Sequence, residues 1–186
     1  MSILVAVKKG KSTILAADSL ATFGSERHPN SNYSVDKVRR VGTALMGASG
    51  WEIYKDILDD YLGGKRPPSL TNEKTIFKFF VKLWAALQDR YNLVNEQCHD
   101  RDTPFGNLDA SFLIANRSGI YMVSDDMSIA RFEQYAAIGS GADYALGALY
   151  HLYDQERDAA AIARKAIETA IQFNVHCGGD VQVVKV

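Results

Sequence analysis

The sequence begins with the apolar run Ser2-Ile3-Leu4-Val5-Ala6-Val7, the basic turn Lys8-Lys9-Gly10-Lys11 and the second run Thr13-Ile14-Leu15-Ala16-Ala17-Asp18. Two β-rich runs around a short glycine-containing loop predict an antiparallel hairpin. A hairpin that starts at the second residue holds the amino terminus in a sheet, whereas most termini fray. We therefore expect the hydroxyl and amine of Ser2 to lie near the carboxylate of Asp18.

This geometry makes Ser2 a candidate nucleophile if its own α-amine is free. An α-amine has a pKa of about 7.7–8.0, so much of it is neutral near pH 8. A neutral amine beside a hydroxyl can act as a general base, which is a known way to activate an N-terminal Ser or Thr. The alternative is an ordinary Met-Ser start without catalytic meaning, and two residues alone do not decide between them.

Composition limits the class of protein. The 186 residues fit one domain, 1–186, and the apolar fraction of 47% can fill a sizeable core. A net charge of −1 without a long run of one sign argues against a nucleic-acid or membrane partner. No apolar stretch is long enough to span a bilayer, and the signal-peptide pattern is absent. Cys98 and Cys177 are too few for a disulfide framework and lack zinc-site spacing. We expect a cytoplasmic protein.

The rest of the chain alternates groups of strands with pairs of helices. The polar stretch from Phe23 to Asp36 is predicted to be a long loop, either functional or a mobile surface feature. A second hairpin is predicted over residues 37–50, and a loop from His99 to Asn107. Further predicted elements are helices at 51–62, 72–91, 142–153 and 158–173, and strands at 110–115, 119–124, 128–132 and 181–186. This segregation favours an α+β fold with two sheets packed face to face and helix pairs outside.

For three features, the sequence alone leaves alternative interpretations open. Lys37 is, in isolation, one member of a solvated basic patch. The segment Gly139-Ser140-Gly141 suggests a phosphate loop but lacks the spacing of a P-loop. Asp125 and Asp126 suit either a cation site or a solvated turn.

The order and spacing of several motifs resemble the proteasome β-subunit family, which includes the bacterial HslV peptidase. The resemblance spans nearly the whole chain and is carried by Ala16-Ala17-Asp18-Ser19-Leu20-Ala21-Thr22, by Lys37-Val38-Arg39-Arg40-Val41 and by residues 137–146. Within the family, the chain is most similar to HslV-derived bacterial proteasome homologues of β-proteobacteria. The resemblance implies a four-layer αββα sandwich, the N-terminal nucleophile hydrolase fold.

The family's catalytic positions correspond to Ser2, Asp18, Lys37, Gly47 and Ser140. The resemblance implies that Ser2 is the nucleophile and its amine the proton acceptor, after cytosolic processing removes Met1. A cationic Lys37, held by Asp18, would disfavour a second positive charge and lower the pKa of that amine. The backbone N–H of Gly47 would stabilise the oxyanion, an interaction typically worth about 2.7–4 kcal/mol, and Ser140 would lie near the amine.

Several positions depart from the family pattern. Ser2 replaces a Thr whose methyl group restricts χ1, and Leu20 stands where the family often has Arg. Asn174 and Cys177 stand where the family usually has Asp and Ser, and we expect them to support the terminus. Residues that match the family's S1 pocket and its border predict a small-to-medium apolar substrate site, formed by Ala21, Thr22, Val35, Leu45 and Ser49.

The resemblance implies a self-compartmentalising endopeptidase that acts on peptides or unfolded proteins. Its sites would lie inside a homo-oligomeric double ring with six or, preferably, seven subunits in each ring. An AAA+ unfoldase partner is compatible with this function but not implied by the sequence. No cofactor is required, and the prediction allows for a structural monovalent or divalent cation. Two alternatives stay open, namely a catalytically weak ring that serves as a binding or scaffolding shell and a small-molecule amidase of the same fold.

Overall fold

The computed structural model describes residues 2–24, 26–91 and 107–186. The predicted amino-terminal hairpin is present, since β1 (Ile3–Lys9) pairs antiparallel with β2 (Ser12–Asp18). Gly10 adopts a φ of 59° in the turn, a conformation that favours glycine. The apolar residues of both strands are buried whichever face they point to. Such a hairpin needs a covering layer on each side.

β1 and β2 form the centre of a four-stranded antiparallel sheet. Its outer strands are β10 (Tyr135–Gly139) beside β1 and β11 (Val181–Lys185) beside β2. A five-stranded antiparallel sheet follows chain order through β5 (Val38–Val41), β6 (Ala44–Gly50), β7 (Ala110–Ala115), β8 (Ile120–Val123) and β9 (Ile129–Phe132). The predicted loop after β2 also carries a short ribbon of β3 (Thr22–Phe23) and β4 (Glu26–Arg27), because its backbone pairs with itself.

The helices form two pairs, α1 (Ile53–Leu62) with α2 (Glu73–Asp89) and α3 (Ala142–Gln155) with α4 (Ala159–Phe173). Asn72 caps α2. Its Oδ1 accepts the Thr75 N–H at 3.0 Å, and Thr75 Oγ1 accepts the Asn72 N–H at 3.2 Å. Asp158 caps α4 by accepting the N–H groups of Ala160 and Ala161.

Trp51 departs from the prediction for α1. It precedes the helix, and its side chain is 70% exposed. The buried face of α1 consists of Tyr54, Ile57 and Leu58. Helical spacing alone cannot tell whether an aromatic residue at the end of a pattern packs inward, because packing depends on the neighbouring elements.

Three apolar cores stack through the molecule. Phe112 lies in the core between the five-stranded sheet and the α1–α2 pair. Leu4 and Leu113 lie between the two sheets, whereas Val5 and Ile167 lie between the four-stranded sheet and the α3–α4 pair. Because side chains alternate along a strand, β1 contributes to two cores. The layer order confirms the predicted αββα sandwich.

Some predicted features lie outside the described residues. Met1, Cys98 and the expected loop from His99 to residue 106 belong to this undescribed part. No helix within the described ranges is long and apolar enough to cross a membrane.

Candidate active site

Asp18 lies at the end of β2, opposite the start of β1. The hairpin register pairs Leu4 with Ala17, and the Ile3 N–H donates to Asp18 Oδ1 at 3.1 Å. The Gly178 N–H donates to Asp18 Oδ2 at 3.0 Å. Asp18 is completely buried, and these bonds offset part of the free-energy cost of burying its charge.

Lys37 supplies the positive charge that balances Asp18. It directly precedes β5, and its Nζ lies 2.7 Å from Asp18 Oδ1 and donates to the Leu20 carbonyl at 2.7 Å. Only 8% of the Lys37 side chain is exposed. The structure thus places Lys37 in a buried ion pair and not in a solvated basic patch.

Ser2 packs against the glycine-rich segment before α3. Its carbonyl accepts Ser140 Oγ at 3.3 Å and the Gly141 N–H at 3.4 Å. Gly139 has a φ of 103°, and a Cβ there would lie 2.2 Å from the Ser2 carbonyl oxygen. Glycine is therefore required at this close approach. The glycines that suggested a phosphate loop instead allow the backbone to approach Ser2 and Cys177, because a Cβ on Gly141 would lie 2.7 Å from Cys177 Sγ.

Asn174 and Cys177 contact Ser140. Asn174 follows the last turn of α4, and its Nδ2 donates to the Ser140 carbonyl at 2.5 Å. Cys177 Sγ lies 4.0 Å from Ser140 Oγ. Burial, followed by the nearby Asp18 carboxylate, raises the pKa of the Cys177 thiol to about 11. The thiol therefore stays protonated in neutral solution. Because only the thiolate is an effective nucleophile, Cys177 is not a candidate nucleophile there.

Gly47 lies in β6, where β1 of the other sheet comes close. A Cβ on Gly47 would lie 2.2 Å from Leu4 Cδ2 and 3.1 Å from the Lys37 carbonyl oxygen. Sheet packing at this point therefore depends on a residue without a side chain.

A pocket of about 670 Å³ lies beside Ser2. Lys37, Gly47 and Ser140 line it together with Ser2, so four predicted catalytic residues share one cavity. Asp18 is buried next to it through its ion pair with Lys37. Four of the five predicted substrate-binding residues also line it, namely Ala21, Thr22, Val35 and Ser49.

No metal centre is evident at this pocket. Within the described residues, no group of three or more His, Cys, Asp or Glu side chains could hold a metal ion. The Asp125–Asp126 pair forms a turn in which Asp126 accepts the Ser128 N–H and Oγ, each at 2.9 Å. These hydrogen bonds lower the pKa of Asp126, and the bond from the Ser128 backbone N–H has the larger effect.

A comparison with known families is consistent with this arrangement. A sequence model of the family described as proteasome subunit matches residues 93–186, which is half of the chain. The chain belongs to the proteasome subunit family.

Members of the proteasome family match nearly the whole chain. The ATP-dependent protease subunit HslV of Caldicellulosiruptor saccharolyticus is 27% identical over 186 residues, which cover 98% of this chain and 96% of the relative. Thiobacillus denitrificans BPH, also solved in complex with epoxomicin, is 31% identical with a TM-score of 0.89, and the match covers 99% and 97% of the two chains. Trypanosoma brucei HslV shares the fold at 22% identity, with a TM-score of 0.67 over 98% of each chain. These matches confirm the N-terminal nucleophile hydrolase fold.

One predicted pocket residue of this proteasome-family chain lies elsewhere. Leu45 is fully buried between the two sheets, in the same core as Leu4 and Leu15. The pocket is lined instead by the later residues of β6, from Met46 to Gly50, which continue past the intersheet core. The prediction for Leu45 was wrong.

Other pocket residues of the proteasome-family chain were missed. Trp51, Tyr54 and Asp109 line the pocket. The predicted helix contained Trp51 and Tyr54, but helical spacing does not show which cavity a side chain borders, and no local pattern marks Asp109. Ser19 had a signal, since it belongs to the motif after β2, but no role was assigned to it. Its Oγ accepts the Asp180 N–H at 2.8 Å, and its carbonyl accepts the Val35 N–H at 3.2 Å. Ser19 therefore holds the loop that carries Val35.

Proposed function

We propose that this chain is a peptidase subunit that hydrolyses peptide bonds with Ser2 as an N-terminal nucleophile, once Met1 has been removed. The observation that carries this proposal is the grouping of Ser2, Lys37, Gly47 and Ser140 around one pocket, next to the buried Lys37–Asp18 pair. The ATP-dependent protease subunits among the relatives support the same reaction class.

The reaction takes place in two steps. Ser2 Oγ attacks the carbonyl carbon of the scissile peptide bond, and its proton moves to the α-amine of Ser2. The amine then gives this proton to the leaving nitrogen, so that the amine product departs and an ester remains on Ser2. A water molecule attacks the ester, again with the α-amine as base, and releases the carboxylic acid product.

Surrounding groups prepare the amine and the oxyanion. A cationic Lys37 close to the α-amine disfavours a second positive charge, which favours the neutral, basic form of the amine. Asp18 holds Lys37 through the 2.7 Å contact. The backbone N–H of Gly47 stabilises the oxyanion, and Ser140 fixes the backbone of Ser2 through its 3.3 Å hydrogen bond.

We further propose that the sites face the interior of a cytoplasmic double ring, with six or seven copies in each ring. Peptides or unfolded proteins are the substrates, since only extended chains would reach enclosed sites. No cofactor is assigned to hydrolysis itself. The relatives described as ATP-dependent protease subunits make an ATP-driven partner compatible with this assembly.

Removal of Met1 decides whether the mechanism operates. A nitrogen in a Met1–Ser2 amide cannot accept a proton, so we expect activity only in chains that begin at Ser2. Ser2→Ala should be inactive, whereas Ser2→Thr should stay active because it keeps the hydroxyl and restricts χ1. Intact-mass analysis together with hydrolysis of a fluorogenic peptide measures both points.

Ser12→Ala, at the start of β2, is the matched control and should keep full activity. Epoxomicin, which the T. denitrificans protein binds in a solved complex, provides a second measurement. We expect an epoxomicin adduct on the peptide that contains Ser2 and none in Ser2→Ala. Such an adduct would also exclude the alternative that the chain serves only as a scaffolding shell. Full activity in a sample whose chains all retain Met1 would overturn the mechanism.

A further inference from the structure

A second cavity, of about 330 Å³, lies at the connection between α1 and α2. Its lining shares no residue with the pocket at Ser2. We call it the connector pocket, and its lining comes from the last turn of α1, residues 65–69 and one face of α2. It is therefore a separate site on the helical layer over the five-stranded sheet.

The connector pocket is lined by four cationic side chains. Lys65 and Arg66 come from the connection, and Lys78 and Lys82 lie one turn apart on α2. No Asp or Glu belongs to the lining. Four like charges around one cavity repel each other, so the pocket favours an anion that neutralises them.

The acidic residues of the neighbouring helix are engaged elsewhere. Asp59 pairs with Arg39 at 2.7 Å and with Lys55 at 3.3 Å. Asp60 pairs with Arg90 at 2.6 Å. By contrast, no ion pair between described residues involves any of the four cations of the connector pocket.

Aromatic rings form one wall of the cavity. Lys65 Nζ lies 4.5 Å from the centre of the Tyr61 ring, a cation–π contact that holds the ammonium group at the rim. Tyr61 also packs against Phe79, with ring centres 6.1 Å apart. The pocket thus combines lysine ammonium donors with one guanidinium group and an apolar wall.

We propose that the connector pocket binds an oligophosphate, either a linear polyphosphate or the triphosphate of a nucleotide. A chain of phosphates carries several negative charges at short spacing, so one ligand can neutralise several neighbouring cations. Arg and Lys both bind phosphate oxygens through charge-assisted hydrogen bonds. A single carboxylate would leave most of the positive charge unbalanced. The site is independent of the chemistry at Ser2.

Calorimetric titration of the full-length protein with sodium tripolyphosphate, and separately with ATP, tests the site. Lys78→Ala/Lys82→Ala removes two exposed charges, and alanine preserves the helix. Lys11→Ala/Lys74→Ala removes the same charge from exposed positions outside the pocket and serves as the matched control. We expect the first variant to lose affinity by roughly tenfold or more and the control to bind like the wild type.

The two ligands distinguish the sources of the phosphate chain. Tighter binding of ATP than of tripolyphosphate identifies a nucleotide ligand, with the base against the aromatic wall, whereas equal or weaker binding of ATP identifies the phosphate chain alone. Binding in either case should weaken as the salt concentration rises. The proposal would be ruled out if the wild type bound neither ligand. It would also be ruled out if Lys78→Ala/Lys82→Ala bound as tightly as the wild type, or if both double variants lost the same affinity. Thermal unfolding of both variants serves as the control for folding, and we expect transitions like that of the wild type.

Discussion

Asp18 connects three separate parts of the chain. Its carboxylate accepts the Ile3 N–H at the start of β1, the Gly178 N–H before β11 and Lys37 Nζ before β5. A completely buried carboxylate with these three partners both fixes the amino terminus and positions a cation beside it. In the proposed mechanism, structural and chemical roles therefore coincide at this residue.

Lys37→Ala tests the chemical role. We expect it to abolish peptide hydrolysis, because the α-amine loses the neighbouring charge that favours its neutral form. We also expect lower stability, since breaking a buried ion pair typically costs about 3–5 kcal/mol, here limited by the two N–H bonds that Asp18 keeps. Fluorogenic-peptide turnover and thermal unfolding measure the two effects.

Lys74→Ala, an exposed lysine on α2, is the control for Lys37→Ala and should change neither quantity. Oligomer formation by Lys37→Ala must be checked by size-exclusion chromatography. Near-normal turnover by folded Lys37→Ala would contradict the assigned role.

Cys177 should be chemically inert in the folded protein. Because its thiol pKa is raised to about 11, the reactive thiolate appears only in strongly alkaline solution. We expect iodoacetamide at about pH 8 to leave Cys177 unmodified in the native protein and to label it after unfolding in urea. Peptide mass mapping measures both states. Rapid labelling of native Cys177 at that pH would show that its environment differs from the one described.

Two glycines with different surroundings allow a matched test at the level of elements. In β6, Gly47→Ala would force a Cβ against Leu4, and overpacking of this kind typically costs about 1–3 kcal/mol. In α3, Gly147→Ala meets no atom within 4 Å and should stabilise the protein by about 0.5–1 kcal/mol, because alanine favours a helix interior.

Chemical denaturation of the two variants gives both free energies of unfolding. We expect Gly47→Ala also to lose activity, since β6 borders the pocket. A free energy of unfolding for Gly47→Ala equal to that of the wild type would argue against the close approach of the two sheets.

The segment after β2 contacts the residues just before α1. Tyr33 donates its hydroxyl to Glu52 Oε1 at 2.5 Å, just before α1, and its ring lies 5.4 Å from that of Phe23. The hydrogen bond to Glu52 is the main cause that raises the pKa of Tyr33. These contacts hold the segment beside the pocket that Val35 and Asp36 line.

At the scale of the molecule, exposed apolar side chains point to assembly. On the α3–α4 layer, Tyr144 stacks on Phe173 with ring centres 5.8 Å apart, and Tyr150 and Val175 are 79% and 81% exposed. Beside β6, Trp51 and Ile53 are 70% and 48% exposed. Large exposed apolar surface usually contacts a partner.

We therefore expect a homo-oligomer, and the proposed function specifies a double ring. Light scattering should give a mass that corresponds to two rings of six or seven chains. Negative-stain images with rotational averaging distinguish the two symmetries. A mass near 20.5 kDa over a wide concentration range would mean that the chain is a monomer.

The sequence by itself determined most of the elements and their order, although it did not indicate the short β3–β4 ribbon. The β1–β2 hairpin, the helix of α2 and the α+β layering follow from contiguous patterns, because alternation and helical spacing are local properties. The resemblance then assigned Ser2, Asp18 and Lys37 to one site.

Only the tertiary structure decided which of these residues meet and where each side chain points. Leu45 and Met46 differ by one position, yet one lies between the sheets and the other lines the pocket. Lys37 is an ion-pair partner and not a solvated charge, because Asp18 lies 19 residues earlier in the chain but within 2.7 Å. Contacts between distant segments set the burial, and burial sets the chemistry of a charged group.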